Sequence, residues 1–176
     1  INYPEILLMD ATYKLTNDCM ALYLLLTIDG NGESHIAAMF LVHNETQPVL
    51  QEMVTAFTNS FEPEIVEKTR VIITDKDFGE RSVLRGAFPN AALHLCLFHT
   101  LRTFGREVTT AKMSLRPQER ETALAILSRL AYSRNMEEYE AHHQSLKDTN
   151  ITHVIDYFER NWHGNREDEN EVFKRR

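Results

Sequence analysis

Two short stretches of this sequence are apolar at almost every position, and each is followed directly by an aspartate. Residues 6–9 precede Asp10, and residues 71–74 precede Asp75. Continuous apolar runs of this length are typical of strands covered on both faces, which occur as parallel neighbours in α/β sheets. Ligands bind at the carboxyl ends of such strands. The sequence therefore predicts that Asp10 and Asp75 converge at one end of the sheet.

Neighbouring carboxylates restrict what can bind between them. Two such groups repel one another unless a cation lies between them. Ligand sets made only of oxygen favour hard cations, so Mg²⁺ or Mn²⁺ is the expected ion. This arrangement is the core of two-metal phosphodiester chemistry. We therefore predict a metal site whose first two ligands are Asp10 and Asp75.

The composition indicates one core and no membrane segment. The chain has 176 residues, of which 43% are hydrophobic, enough for a single core. The longest dense apolar stretch, residues 21–28, is far shorter than the roughly 20 residues needed to cross a bilayer, and no signal peptide is recognisable. Cys19 and Cys96 provide no disulfide framework, which favours a reducing intracellular compartment.

The overall charge is unfavourable for a nucleic-acid partner. The net charge is −7, whereas phosphate binding usually needs a basic surface. Basic residues exceed acidic ones locally between positions 102 and 129, by six to three. The basic ones are Arg102, Arg106, Lys112, Arg116, Arg120 and Arg129, against Glu107, Glu119 and Glu121. Arg102 and Arg106 lie one helical turn apart, which fits a phosphate-facing pair and a solvated helix face equally well.

The order of the predicted elements defines a fold. Strands at 6–9, 21–28 and 34–42 form an antiparallel meander, with Asp29-Gly30 and Asn31-Gly32 supplying the turn between the last two. A right-handed crossover can then place the Asp75 strand parallel to the first strand. We predict an α/β fold with a ribonuclease H-like mixed sheet, an antiparallel meander plus parallel strands, flanked by helices and followed by a C-terminal helical region. The later elements are predicted as a helix at 48–61, a strand at 71–74, a helix at 78–87, a strand at 92–98, and helices at 100–108, 117–132, 136–146 and 151–162.

Further acids compete between structural and chemical roles. Asp77 and Glu80 form a capping box at the start of a helix, which favours a cap over a metal ligand for Asp77. A third carboxylate for the metal site can come from the group at 137–140. Within that group, Glu138 forms a capping box with Asn135. A capping glutamate can also point into a site, so the two roles of Glu138 are not exclusive.

The segment from Cys96 to His99 has the spacing of a zinc-ligand pair. It supplies two ligands, whereas a structural zinc site needs four, and no second pair stands at a suitable distance along the sequence. We expect no zinc in this chain. His99 remains an accessory candidate at the mouth of its strand, and the other histidines are expected on the surface or in the core.

Four motifs together carry a family resemblance. They are MDATYK at 9–14, DGNGES at 29–34, ITDKDF at 73–78 and CLFHTLR at 96–102. With them the chain resembles the transposase domain of Mutator-like elements. It is more closely similar to the ribonuclease H-like domain of the transposase-derived SWIM zinc-finger proteins. The resemblance extends over nearly the whole chain.

The resemblance implies roles for named residues and a division of the domain. Asp10 and Asp75 match the first two catalytic acids of an Asp-Asp-Glu site, and the third falls in the region 136–140, where Glu138 is favoured. Residues 1–108 would be the ribonuclease H-like core and residues 109–134 a helical insertion. Helices within 135–176 would complete the same domain.

Two functions are consistent with this resemblance. In one, the domain is an active transposase that uses Mg²⁺ or Mn²⁺ to cleave DNA and transfer a strand in DNA recombination. In the other, it is a domesticated remnant in a nuclear, DNA-associated protein. The presence of Asp10 and Asp75 favours the first function, and the acidic balance favours the second. We expect the second, with DNA contact that depends on domains outside this chain, since neither a SWIM finger nor a separate DNA-binding module is present in it.

Overall fold

The computed structural model describes residues 2–12 and 20–163, without the side chain of Phe78. Tyr13 and Lys14 of the first motif, Cys19, and residues 164–176 lie outside the described residues. The chain divides into two compact units, Ile1–Cys96 and Leu97–Arg176. Within the described residues, each unit has its own set of buried apolar side chains.

The first unit is built on a five-stranded mixed sheet with the order β3-β2-β1-β4-β5. β1 pairs antiparallel with β2 and parallel with β4, so the two strands with aspartates are direct neighbours, as predicted. β5 is parallel to β4 on the other side. The predicted ribonuclease H-like sheet is confirmed. The strands are β1 Ile6–Thr12, β2 Ala21–Ile28, β3 Ser34–Val42, β4 Val71–Thr74 and β5 Ala92–Leu95.

One face of this sheet forms the core of the first unit. β2 alternates strictly between buried and half-buried residues, so Tyr23 and Leu25 point to the same side. Ile72 of β4 is completely buried and belongs to the same cluster. The helices α1 Gln47–Thr58 and α3 Phe78–Ala87 pack against each other and contribute Phe57 and Leu84 to that cluster. A short helix, α2 Pro63–Val66, lies between them in the sequence.

Three predicted boundaries were wrong. β1 does not stop before Asp10, because β2 continues to pair with it as far as Thr12, opposite Leu22. β5 does not reach residue 98. Its neighbour β4 ends at Thr74, whose carbonyl accepts a last hydrogen bond from the Cys96 N–H, 2.8 Å long. The first helix ends at Thr58 instead of residue 61, because α2 starts separately at Pro63.

The second unit is helical over its described residues. α6 packs against both α4 and α7, and its buried face includes Leu127 and Leu130. The predicted final helix is divided, because the segment from Glu159 widens into a π-helical turn. The elements are α4 Leu97–Glu107, α5 Thr110–Met113, α6 Pro117–Ala131, α7 Met136–Asp148, α8 Thr152–Phe158 and the π-helix Glu159–His163. The predicted domain boundaries at 108 and 134 stay predictions.

Among the helices formed by the described residues, none has both the length and the apolar composition needed to cross a membrane.

We expect Ile72→Ala to lower the free energy of unfolding by about 2 to 5 kcal/mol, because it leaves a cavity under the centre of the sheet. Ile72 is fully buried, whereas Ile36 on β3 is 61% exposed. Ile36→Ala is therefore the matched control and should cost less than about 1 kcal/mol. Urea unfolding of both variants measures the difference, and equal losses would contradict this description of the core.

Candidate functional site

Asp10 and Asp75 follow the last paired residues of two adjacent parallel strands. The register of β1 and β4 ends with Leu8 opposite Ile73. Each aspartate lies two residues further along its own chain segment. Asp10 is half-buried, and Asp75 is exposed, with Oδ1 accepting a 2.8 Å hydrogen bond from the Lys76 N–H. The predicted neighbourhood of the two strands is confirmed, and joint metal binding by the two aspartates stays a prediction.

Asp77 is the N-cap of α3, as the sequence indicated. Its Oδ1 accepts a 2.9 Å hydrogen bond from the Glu80 N–H. Gly79, two residues after Asp77, leaves room for this hydrogen bond, because a Cβ at that position would lie 3.0 Å from Asp77 Oδ1. Asp77 therefore has a structural function, and nothing in its contacts requires a metal.

Glu80 does not complete the predicted capping box. Its side chain is only 5% exposed and points into the first unit instead of back toward Asp77. Oε2 accepts a 2.9 Å hydrogen bond from the Thr74 hydroxyl, and Oε1 lies 3.0 Å from the Tyr23 hydroxyl. Thr74 is the last residue of β4 and directly precedes Asp75. Glu80 consequently links the end of β4 to β2 through a buried carboxyl group.

Burial raises the pKa of Glu80 from its ordinary value of 4.5 to about 7. The hydrogen bonds from Thr74 and Tyr23 oppose this shift, and the negative charges of Asp77 and Asp75 add to it. The potential at this end of the sheet is therefore negative. Glu80 changes its charge near neutral pH, a few residues from one of the predicted metal ligands.

Tyr23 connects Glu80 to a second carboxyl group. Its hydroxyl lies 2.6 Å from Glu45 Oε1 as well as 3.0 Å from Glu80 Oε1. Burial and then the hydrogen bond with Glu45 raise the pKa of Tyr23 above its usual range, so the hydroxyl keeps its proton. One hydroxyl proton serves one of the two carboxyl groups. The other contact needs a proton on the carboxyl itself, which agrees with the raised pKa of Glu80.

Glu138 lies in the second unit, at the start of α7. Its N–H donates a 2.8 Å hydrogen bond to Asn135 Oδ1, and its own Oε2 accepts one of 2.9 Å from the Arg134 N–H. The predicted cap by Asn135 is confirmed. In a capping box the Glu138 carboxylate would accept from the Asn135 N–H, but here it accepts from the N–H of the preceding residue, Arg134. Glu137 and Glu140 are exposed. The assignment of Glu138 as third acid stays a prediction.

Cys96 does not lie within β5, and His99 does not lie at the mouth of that strand, contrary to the prediction. Cys96 follows β5, is half-buried and forms no disulfide with another described residue. His99 lies in the first turn of α4, with its ring 5.3 Å from that of Phe98. Among the described residues, neither belongs to a group of three or more side chains placed to hold a metal ion.

Much of the basic stretch from 102 to 129 is already engaged locally. Glu107 accepts hydrogen bonds from Arg106 at 3.1 Å and from Lys112 at 2.9 Å. The contact with Lys112, more than that with Arg106, lowers the pKa of Glu107. Arg116 pairs with Glu119 at 2.6 Å, and Arg120 donates a 2.9 Å hydrogen bond to the Val108 carbonyl. Four of the six basic side chains therefore have a partner within the unit.

Two groups of described side chains are placed to hold a metal ion, and sequence analysis found neither. One consists of Asp29, Glu33 and His35 at the β2–β3 turn, and the other of His143, Glu159 and His163 in the second unit. The predicted acids Asp10, Asp75 and Glu138 belong to neither group. A partial signal existed for the second group, because Glu159 lies on the predicted helix at 151–162 and His163 follows it directly, four residues after Glu159.

The turn group has a structural explanation. Asp29 Oδ1 accepts hydrogen bonds from the Asn31 and Glu33 N–H groups at 2.8 and 2.9 Å, and Oδ2 lies 3.0 Å from His35 Nε2. The hydrogen bond with His35 is the largest cause of a lowered pKa of Asp29. These contacts are those of an aspartate that stabilises its own turn.

The fold and the placement of the two aspartates define a ribonuclease H-like domain. Residues 1–94 match the family described as zinc finger SWIM domain-containing protein 1/3, RNaseH-like domain. The chain belongs to this family, and the predicted resemblance to SWIM zinc-finger proteins is confirmed. The comparison with curated proteins found no match.

We expect Glu80→Gln to remove a pH-dependent loss of stability. Because the folded protein holds this proton up to about pH 7 and the unfolded chain releases it near 4.5, the contribution of Glu80 to stability is complete below pH 4.5. It is lost as the pH rises through 7. Between about pH 5 and pH 8 the parent should lose on the order of 2 to 3 kcal/mol more than the variant.

Urea unfolding at the two pH values measures this difference. Glu52→Gln, at an exposed carboxylate on α1, is the matched control and should retain the pH dependence of the parent. A Glu80→Gln variant with an unchanged pH dependence would show that Glu80 is ionised in the folded protein throughout this range.

Proposed function

We propose that this chain is the transposase-derived, ribonuclease H-like domain of a nuclear, DNA-associated protein. In this proposal Asp10 and Asp75 hold Mg²⁺ or Mn²⁺, Glu138 supplies the third carboxylate, and the domain is inactive on DNA when isolated. Membership of the SWIM domain-containing protein 1/3 family supports the class of protein. The metal, the DNA partner and the nucleus are the parts that require experiments.

The parallel pairing of β1 with β4 carries the metal part of the proposal. It makes β1 and β4 neighbours, with Asp10 and Asp75 each two residues after the last registered pair, Leu8 and Ile73. Ligand sites in α/β sheets form at this end of neighbouring parallel strands.

The chemistry of the donor groups fits a hard cation. Both side chains offer carboxylate oxygens. The pKa of Glu80 is raised mainly by burial, and the charge of Asp75 adds to that shift. Bound Mg²⁺ or Mn²⁺ in such a site would activate water and stabilise a leaving oxygen. Glu80 itself is a positioning residue, since each of its oxygens already has a hydrogen-bond partner and one of them fixes Thr74, the residue before Asp75.

The charge distribution supports inactivity of the isolated domain. The net charge is −7, and Arg106, Lys112 and Arg116 pair with acidic neighbours in the same stretch. Affinity for DNA depends on the number of phosphates that cations neutralise. In the proposed mode, domains outside this chain supply most of the affinity and hold the stretch from 102 to 129 near DNA.

The alternative is an active transposase domain, and one observation favours it. The fold makes the strand that contains Asp10 the neighbour of the strand that Asp75 directly follows. In this alternative the same residues would support metal-dependent cleavage of DNA and strand transfer.

We expect Asp75→Asn to weaken Mn²⁺ binding by about tenfold or more, because it removes one charged oxygen ligand. Isothermal titration calorimetry of the 176-residue chain measures this effect. Asp148→Asn, at an exposed position of α7, is the matched control and should bind as the parent does.

Glu138→Gln, compared with Glu137→Gln, tests the third ligand in the same titration. Only the change at Glu138 should weaken binding, because Glu137 is an exposed neighbour on the same helical turn. If Asp75→Asn binds Mn²⁺ as tightly as the parent, the two aspartates have structural functions only.

We expect the isolated chain to show neither tight DNA binding nor nicking in the presence of Mn²⁺ at physiological salt. Gel-shift and plasmid-nicking assays measure the two activities. A double variant, Asp10→Asn with Asp75→Asn, controls for contaminating nuclease. Binding or cleavage by the parent that the double variant lacks would contradict the proposal and support the active transposase.

A further inference from the structure

Two imidazoles and a carboxylate meet in the second unit. His143 Nε2 lies 2.7 Å from Glu159 Oε1, and His163 Nε2 lies 4.0 Å from Glu159 Oε2. The two imidazole rings stack with their centroids 4.0 Å apart. One ligand atom from each residue lies within 4.8 Å of the other two. This cluster is separate in sequence and unit from Asp10 and Asp75.

Tyr139 orients one of the rings. Its hydroxyl lies 2.8 Å from His163 Nδ1. When Nδ1–H donates to this oxygen, the lone pair of His163 is on Nε2, the nitrogen nearest Glu159. Histidine ligands of metal ions are commonly fixed in this way, with the second ring nitrogen hydrogen-bonded to a neighbouring oxygen.

One side of the cluster is buried and lined by aromatic rings, whereas the side chains of Glu159 and His163 are partly exposed. His143 is only 3% exposed, and Tyr139 and Phe158 are almost completely buried. The ring of Phe158 lies 5.8 Å from that of His143. A dry aromatic wall on one side strengthens electrostatic interactions with a bound cation and limits the access of water to one face.

The local backbone is unusual at the same place. Glu159 begins the π-helical turn and His163 ends it. Single π-helical turns are rare and occur frequently at functional sites. Because the turn is wider than an α-helical one, it changes the angle between the side chains of Glu159 and His163 relative to an ordinary helix.

A hydrogen-bonded ion pair accounts for only part of this arrangement. Glu159 contacts His143 and also lies 3.5 Å from Lys147 Nζ. Partial burial acts to raise the pKa of Glu159, but the hydrogen bond from His143 and the charges of His143, His163 and Lys147 together lower it. These contacts explain an ionised Glu159. They do not explain why a second imidazole stacks on the first with its Nε2 toward the same carboxylate.

We infer that His143, Glu159 and His163 bind a transition-metal ion of the Zn²⁺ type. Two imidazole nitrogens and one carboxylate oxygen form a donor set that suits zinc and leaves a fourth position for water. Zn–N and Zn–O bonds of about 2.0 to 2.2 Å place tetrahedral ligands roughly 3.3 Å apart. On binding, the 2.7 Å distance between His143 Nε2 and Glu159 Oε1 lengthens, and the 4.0 Å distance between His163 Nε2 and Glu159 Oε2 shortens. The metal ion replaces the proton between His143 and Glu159. This site goes beyond the proposed function, and it differs from the expectation that the chain binds no zinc.

Titration of the 176-residue chain with Co²⁺, a spectroscopic substitute for Zn²⁺, tests the site. The expected result is saturable binding of one ion with the visible absorption of a four-coordinate complex, reversed by Zn²⁺. Glu159→Gln and His163→Ala should each weaken binding by about tenfold or more. His153→Ala, an exposed histidine on α8, is the matched control and should bind as the parent does.

A measurement on the parent protein tests the site even if the variants fail to fold. Nitrogen-15 NMR of the imidazoles should show Zn²⁺-dependent shifts at His143 and His163 but not at His153. The inference is wrong if the parent shows no saturable Co²⁺ binding, or if folded Glu159→Gln and His163→Ala bind as it does. Asp75→Asn should leave Co²⁺ binding at this cluster intact, which separates this result from the test of the proposed function.

Discussion

The parallel pairing of β1 with β4 is the interaction on which the rest of the first unit depends. It joins the antiparallel meander to the β4–α3–β5 segment and completes a sheet whose core face is covered by α1 and α3. Parallel strands need a long crossover, and here residues 43–70, with α1 and α2, provide it. The same pairing makes β1, which contains Asp10, the neighbour of β4, which Asp75 directly follows. Fold and candidate metal site therefore have one physical origin.

Glu80 stabilises the end of β4 next to Asp75, one of the two candidate metal ligands. A buried carboxyl group is costly unless it is hydrogen-bonded or protonated. Thr74 and Tyr23 provide hydrogen bonds, and the raised pKa, about 7, provides the proton. The result is a link from α3 to β4 and β2 beside the segment that contains Asp75. A cation near Asp75 and the proton on Glu80 would respond to the same negative potential.

The second unit has a different chemistry. Its basic side chains pair with Glu107 and Glu119 on the surface, and exposed pairs of this kind contribute little to stability and can exchange for other anions. Two of its histidines, His143 of α7 and His163 of the π-helical turn, lie close to Glu159. Oxygen donors in the first unit and nitrogen donors in the second suit different classes of metal ion.

The sequence by itself determined the order of elements, the mixed sheet and the neighbourhood of β1 and β4. Apolar runs, turn residues and handedness are local or nearly local properties. It also determined the caps at Asp77 and Asn135, because a cap depends on residues three apart.

Only the tertiary structure decided the direction of the Glu80 side chain and the contact of His143 with Glu159. The side chain of Glu80 does not form the predicted capping box, because it forms buried hydrogen bonds with Thr74 and Tyr23 instead. His143 lies 16 and 20 positions before Glu159 and His163, so no helical period could indicate their contact. Such partners come from other elements, and their distances depend on packing that a sequence pattern does not contain.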